Sequence, residues 1–315
     1  MSEHIHDLVI VGGGPAGLSA AIYASRSMLD AVTLEREAVG GQMVLTSEID
    51  NYPGVPHAQA FDLVDSMRTQ AEDLGARIEM SPVSSIDWSE SDGLFRVQTP
   101  DGVYVSRALI AAPGARPRPA GFLGEREFTG RGVSYCATCD GMFYRNKHVF
   151  VVGGGNSAAE EALFLARIAA RVTMVVRKDH LRALRALVDE LTANERVEIR
   201  YETSIVRVSG DGLPGAITFR DNRSGDEHTE TFDEGSVGIF VLVGREPETA
   251  LLDGLVELDD AGYVVSDERM VTRTPGLYVA GDARSKPLRQ IVTAAADGAV
   301  AATSAAAFLG RPIDG

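Results

Sequence analysis

The stretch LVIVGGGPAGLSAAIYA, residues 8–24, leads from an apolar run through Gly12-Gly13-Gly14-Pro15-Ala16-Gly17 into a helical pattern. Four apolar residues, then G-x-G-x-x-G, then a helix reaching about Ser27 predict a strand, a tight turn and a helix. Each glycine has its own task. Gly12 permits the turn, Gly14 lets the backbone approach a pyrophosphate, and Gly17 lets the helix pack on the strand. The anion then sits at the helix N-terminus. A second apolar run, residues 31–34, ends at Glu35. That is where an acceptor for the adenosine ribose is needed, and its charge repels a 2′-phosphate.

The unit repeats in HVFVVGGGNSAAEEALFLARIAARVTMVVRKD, residues 148–179. It contains a strand at 148–152, the turn Gly153-Gly154-Gly155-Asn156-Ser157-Ala158, a helix to about Ala170, and a strand at 172–176. Counting from Ala158 as from Gly17 to Glu35 lands on Val176. No acid stands there. Arg177, Lys178 and Arg182 follow, and cations at that strand end suit the 2′-phosphate of NADP(H), or else form a solvated basic face. A third fragment, RTPGLYVAGDA (273–283), reads as a strand at 277–280 ending in Gly281-Asp282, with a helix from about Gln290. It is similar to the second FAD-contacting segment of flavoproteins with two dinucleotide sites, and it returns the chain to the first domain. The fold class expected is α/β, with two Rossmann-like dinucleotide-binding domains, the second inserted into the first.

Both cysteines of the chain lie in GVSYCATCDGMF (132–143), as Cys136 and Cys139. A structural zinc site needs four ligands, and no histidine pair stands near them. A structural disulfide over so short a loop removes only about 2 kcal/mol of unfolded-state entropy, and a chain of 315 residues buries a large core without it. What remains is thiol–disulfide exchange, in which one sulfur forms a mixed disulfide and its neighbour resolves it. A nicotinamide delivers two electrons together and a disulfide accepts hydride poorly, so a flavin between them is the sensible relay. Asp140 follows directly, and an acid beside a desolvated Cys pair can hold its proton toward neutrality; the alternative is a helix-capping Asp. No metal ligand set is expected.

Forty-five acidic residues against 30 basic ones, a net charge of −15, argue against nucleic acid or an anionic membrane as the main partner. The start, MSEHIHD, is acidic and lacks a basic n-region, so no export signal is read and a cytoplasmic location is expected. The tail IVTAAADGAVAATSAAAFL (291–309) is broken by Asp297, which predicts a core helix rather than a membrane span.

The chain resembles the low-molecular-weight thioredoxin reductases over nearly its whole length. The carrying residues are GGGPAG (12–17), GGQ (40–42), NYPG (51–54), GRGVSYCATCDG (130–141), GGGNSAAEEA (153–162), AGDA (280–283) and RQIVTAAADG (289–298). The resemblance implies an FAD domain of roughly 1–117 and 247–315, an inserted pyridine-nucleotide domain of roughly 118–246, and a homodimer whose domains rotate during turnover. It implies that Cys139 faces the flavin, that Cys136 exchanges with thioredoxin or a thioredoxin-like protein, and that Asp140 protonates the departing thiolate. Arg289 and Gln290 would lie by the flavin ring, with Gly41, Gln42 and Asn51 at the FAD cleft.

Three features depart from the family pattern. Relatives usually carry His-Arg-Arg-x-x-x-Arg at the NADPH ribose, where this chain has Val176, Arg177, Lys178 and Arg182, and Lys cannot repeat the bidentate contact of Arg. Ala112-Pro113-Gly114 replaces Ala-Thr-Gly, and Arg245 replaces a common His. The phrases VGREPET and ELDDAGYVVSDERM are closer to the ferredoxin-dependent flavin thioredoxin reductases, so reduced ferredoxin is an alternative donor to NADPH. Two further readings are an oxygen-dependent dithiol oxidase and a non-enzymatic flavin-binding redox sensor.

Overall fold

Leu8, Val9 and Ile10 are fully buried, because the strand that holds them is covered on both faces, which explains an uninterrupted apolar run instead of alternation. In a computed structural model, which describes residues 4–45 and 48–311, this strand is β1 (Ile5–Val11). There follow α1 (Pro15–Arg26), β2 (Ala31–Glu35), α2 (Ala60–Asp73), β3 (Arg77–Met80), β4 (Ser85–Ser89), β5 (Leu94–Thr99) and β6 (Gly102–Ala111). The chain next forms β7 (Val133–Ser134), α3 (Ala137–Asp140), β8 (His148–Val152), α4 (Asn156–Ala166), β9 (Arg171–Val175), α5 (Arg185–Ala193) and β10 (Val197–Arg200). Strands β11 (Thr203–Ser209), β12 (Ala216–Asp221), β13 (Glu227–Thr231) and β14 (Val237–Val241) precede the closing β15 (Leu277–Val279) and α6 (Ile291–Phe308).

Two units result. The first comprises Met1–Ser47, Tyr52–Arg116 and Glu246–Gly315, the second Glu48–Asn51 and Pro117–Arg245. The sheet of the first unit has the order β3-β2-β1-β6-β5-β4, with β15 also paired to β6. Strands β3, β2, β1, β6 and β15 pair in parallel, while β4, β5 and the start of β6 form an antiparallel meander. Val11 pairs with Leu34 and with Ala111, and Ala111 with Val279. Four carboxyl ends therefore meet at one sheet edge, the place where open α/β sheets bind ligands.

The second unit repeats the plan with a parallel sheet, β7-β14-β8-β9-β10, joined by an antiparallel sheet, β11-β12-β13. Val152 pairs with Val175 and Val241, so the second glycine turn also opens at the carboxyl edge. The antiparallel sheets of both units are additions to the sequence-based expectation. Helix α4 also stops earlier than the expected Ala170. It ends at Ala166 because the Lys147 carbonyl takes the Ala170 N–H at 2.9 Å, turning the chain into β9.

Helix α6 is apolar and long enough to cross a membrane by composition alone, yet its Ala294, Ala301, Ala302, Ala305 and Ala306 lie in the core of the first unit. It packs closely on α1, since a Cβ on Gly298 would stand 2.0 Å from the Ala16 carbonyl oxygen. Asp297 is buried in this helix and is matched by Arg284 at 2.9 Å and Lys286 at 3.0 Å. The lone acid of an otherwise apolar helix is thus a paired core residue.

Candidate active site and nucleotide-binding turns

In the first unit, the turn after β1 is shaped by the backbone around it. Gly12 has φ +106, and a Cβ there would sit 2.3 Å from the Ala112 carbonyl oxygen. A Cβ on Gly17 would sit 1.8 Å from the Gly12 oxygen, so α1 approaches the turn only with glycine in place. Gly14 is different: it precedes the α1 N-terminus with φ −75, and a Cβ there would meet only Gly41 Cα, at 3.8 Å. Neither its conformation nor a contact among the described residues requires glycine at position 14. Pro15 occupies the first turn of α1, and Ala16 packs beneath it against Gly281 and Gly298.

Glu35 ends β2, with Oε2 accepting the Gly13 N–H at 2.6 Å and Oε1 accepting those of Arg36 and Glu37 at 2.7 and 3.1 Å. Three of about four acceptor positions of the carboxylate are used, leaving one for a hydroxyl donor. Gln42 donates to the Ala115 carbonyl, in the same unit. Gly281 donates to Asp297 Oδ2 at 3.1 Å, and Asp282 lies 3.6 Å from Lys286 Nζ. Arg289 lies over the Tyr263 ring at 3.8 Å and donates to the Asp282 and Arg284 carbonyls. Gln290 caps α6 reciprocally with Thr293.

In the second unit, Cys136 and Cys139 are joined as a disulfide with Cα atoms 5.3 Å apart. Both are partly exposed, and Cys136 caps the short helix α3. Fixed groups flank the pair. The Ser134 hydroxyl accepts the Cys136 N–H at 3.1 Å and donates to Asp140 Oδ2 at 2.6 Å. Asp140 makes no side-chain cap to the turn that follows it; its carboxylate is instead directed to a residue on the far side of Cys136. Tyr135 donates to the buried Glu125 at 2.9 Å, and Glu125 also accepts the Ala120 and Gly121 N–H groups. Burial and this carboxylate push the Tyr135 hydroxyl up to about 12. Ala137, between the cysteines, donates its N–H to Glu161 Oε2 at 2.7 Å, and burial pushes the Glu161 carboxyl up. Asn51 groups with this unit and donates to the Thr138 carbonyl at 3.4 Å.

The second glycine turn follows the first in detail. Gly153 has φ +150, and a Cβ there would meet the Leu242 oxygen at 2.4 Å and Ala158 Cβ at 2.9 Å. Gly155 opens α4 with nothing within 4 Å of its Cβ position. A Cβ on Gly13 would meet Glu35 Cβ at 3.1 Å, and one on Gly154 would meet Val176 Cγ1 at 3.1 Å, so the two side chains hold equivalent places. Asn156 accepts the Leu184 N–H at 2.8 Å, and Arg182 donates its N–H to the Gly154 carbonyl at 2.7 Å. These bonds fold the 179–184 segment over the turn, beside the exposed Ser157. The Arg177, Lys178 and Arg182 side chains are exposed and pair with no acid among the described residues.

The sequence profile of the pyridine nucleotide-disulphide oxidoreductases matches residues 6–298. A thioredoxin reductase of Peptoclostridium acidaminophilum is 43% identical over 312 residues, covering 98% of each chain. The chain belongs to the thioredoxin reductases of this family. One from Peptoclostridium litorale is 42% identical over 310 residues, again with 98% of each chain covered. The crystal structure of the thioredoxin reductase of Streptococcus pyogenes is 37% identical, with a TM-score of 0.92 over 98% of this chain and 99% of that one.

Two residues not named from the sequence, Glu161 and Ser134, hold the Cys turn, and Asp297, named from it only as a break in the apolar tail, anchors the Gly281 corner. Glu161 and Asp297 carried a signal, an acid on an otherwise apolar helix face. Ser134 carried none, because its role depends on where Asp140 lies.

Proposed function

We propose that the chain is a thioredoxin-disulfide reductase that passes electrons from NADPH through FAD to Cys136–Cys139 and on to thioredoxin. The disulfide carries this reading: it is partly exposed, held from Ser134, Tyr135 and Ala137, and followed by a carboxyl aimed back across it. FAD, when bound, supplies the two-electron relay between a hydride donor and a disulfide. The bare front of Gly14 and the remaining acceptor position on Glu35 suit a dinucleotide in an FAD domain of residues 1–117 and 247–315. Gly155, together with Arg177, Lys178 and Arg182, which pair with no acid among the described residues, suits NADPH in an inserted domain of residues 118–246.

Two electrons and two protons open the disulfide to a dithiol. Cys136 gives up its thiol proton to solvent and attacks one sulfur of the thioredoxin disulfide, and the other sulfur leaves with a proton from Asp140, which regains one from solvent. Cys139 then attacks Cys136 and restores the disulfide, and its own proton goes to the second thioredoxin sulfur, releasing dithiol thioredoxin. The assignment of Cys136 to thioredoxin and Cys139 to the flavin rests on the family resemblance. The same resemblance supports a homodimer.

Rapid mixing of the oxidised protein with NADPH, NADH or reduced ferredoxin, followed by a thioredoxin-coupled assay, tests the reading. NADPH should bleach the flavin fastest and drive thioredoxin reduction, and both Cys136→Ser and Cys139→Ser should abolish that reduction. Reduction by ferredoxin alone overturns the NADPH reading. Steady peroxide formation without thioredoxin overturns the reductase reading in favour of a dithiol oxidase.

A further inference from the structure

Two histidines, His4 just before β1 and His6 within it, take no part in the proposed flavin and disulfide chemistry. His4 Nε2 lies 2.8 Å and His6 Nδ1 3.1 Å from the same oxygen, Asp30 Oδ2. We propose that His4, His6 and Asp30 form a binding site for one divalent transition-metal ion of the zinc and nickel class.

Residues two apart on an extended chain share a face, and the two imidazoles meet edge to face with centroids 4.4 Å apart. Asp30 is fixed to the same strand. Its N–H donates to Asp7 Oδ2 at 3.1 Å, and its carbonyl accepts the Asp7 and Leu8 N–H groups at 3.0 and 3.2 Å. The three ligand atoms lie within 4.8 Å of one another. Bonds of about 2.0–2.2 Å to a zinc ion place neighbouring ligand atoms roughly 3 Å apart, so a cation can replace the hydrogen in each His–Asp contact with little movement.

The donor set selects the class of ion. Two imidazoles with one carboxylate suit zinc, nickel, cobalt or copper, whereas magnesium and calcium take oxygen ligands. The His6 side chain is buried. The ring also stacks on Tyr104 at 6.1 Å, and Tyr104 donates to Glu79. Nearby Arg77 is paired to Glu79 at 2.6 Å, which offsets its charge. His4 is exposed, so the remaining coordination positions open to water and the ion exchanges with solvent.

A chain of net charge −15 gathers cations diffusely, so the test must separate a site from a cloud. Untagged flavin-loaded protein, oxidised so that Cys136 and Cys139 offer no thiolate, is titrated calorimetrically with zinc chloride and with nickel chloride. One equivalent per chain is expected. His4→Ala and Asp30→Asn should each weaken it by more than the tenfold or so typical of losing an outer-shell partner, with flavin absorbance unchanged. Cobalt(II) should give a visible spectrum in the parent protein and not in His4→Ala. No saturable equivalent, or binding retained at parental affinity in either variant, overturns the site.

Discussion

Glu161, one turn into the helix that opens at the second glycine turn, accepts the backbone N–H of Ala137, the residue beside Cys136, at 2.7 Å. One helix thus joins the second glycine turn to the Cys pair. It opens at Gly155, and its next turn holds the backbone between Cys136 and Cys139.

Glu161→Gln keeps an acceptor for that N–H, whereas Glu161→Leu leaves it buried and unpaired, at a cost of about 1–3 kcal/mol. The Glu161 carboxyl is held above its ordinary pKa by burial. Its contribution to stability is therefore complete below the unfolded pKa and is lost as pH rises through the folded value. At neutral pH, Gln should match or exceed the parent melting temperature, and Leu should fall below it and slow thioredoxin reduction. Equal melting for Leu and Gln would show that the Ala137 bond contributes nothing.

Gly14 and Gly17 should fail in different ways. A Cβ on Gly14 would meet only Gly41 Cα, at 3.8 Å, so Gly14→Val should yield folded protein without FAD, seen as a colourless product with native far-UV circular dichroism. Gly17→Ala brings a Cβ to 1.8 Å from the Gly12 oxygen and should lower stability by about 1–3 kcal/mol, read from denaturant midpoints. A Gly14→Val protein with full flavin occupancy contradicts the assignment.

Arg177→Ala with Arg182→Ala should raise the KM for NADPH roughly tenfold, about 1.4 kcal/mol, leaving kcat and the KM for NADH near their parental values. Both side chains are exposed, so salt should erode the preference of the parent as well. Steady-state kinetics at two ionic strengths measure both effects.

His148 is lowered to about 4 from its ordinary 6.5, first by burial and then by Arg171 and Arg200. Between those values the unfolded chain binds a proton that the native one refuses, so stability is complete above pH 6.5 and declines toward pH 4. With solvent screening of the partly exposed ring, the loss is on the order of 1–2 kcal/mol. His148→Gln can still bond to Thr173, the present partner at 2.8 Å, and should lose less stability on acidification. Urea midpoints at pH 7 and pH 4.5 for both proteins provide the comparison.

What neighbouring residues decide together can be read from their order alone. Both glycine turns, the strands before them, Glu35 with its counterpart Val176, and the Cys pair were legible because turn and helix-start geometry is written within six consecutive residues. Only the tertiary structure decided which distant groups hold those turns in place. Glu161 reaches Ala137 across 24 positions, Asp297 reaches Gly281 across 16, and α4 stops at Ala166 because the Lys147 carbonyl claims the chain beyond it. The meanders β4–β6 and β11–β13 belong to the same class. Their strands are recognised by pairing and burial, which depend on partners brought together by the fold and carry no comparable local signature.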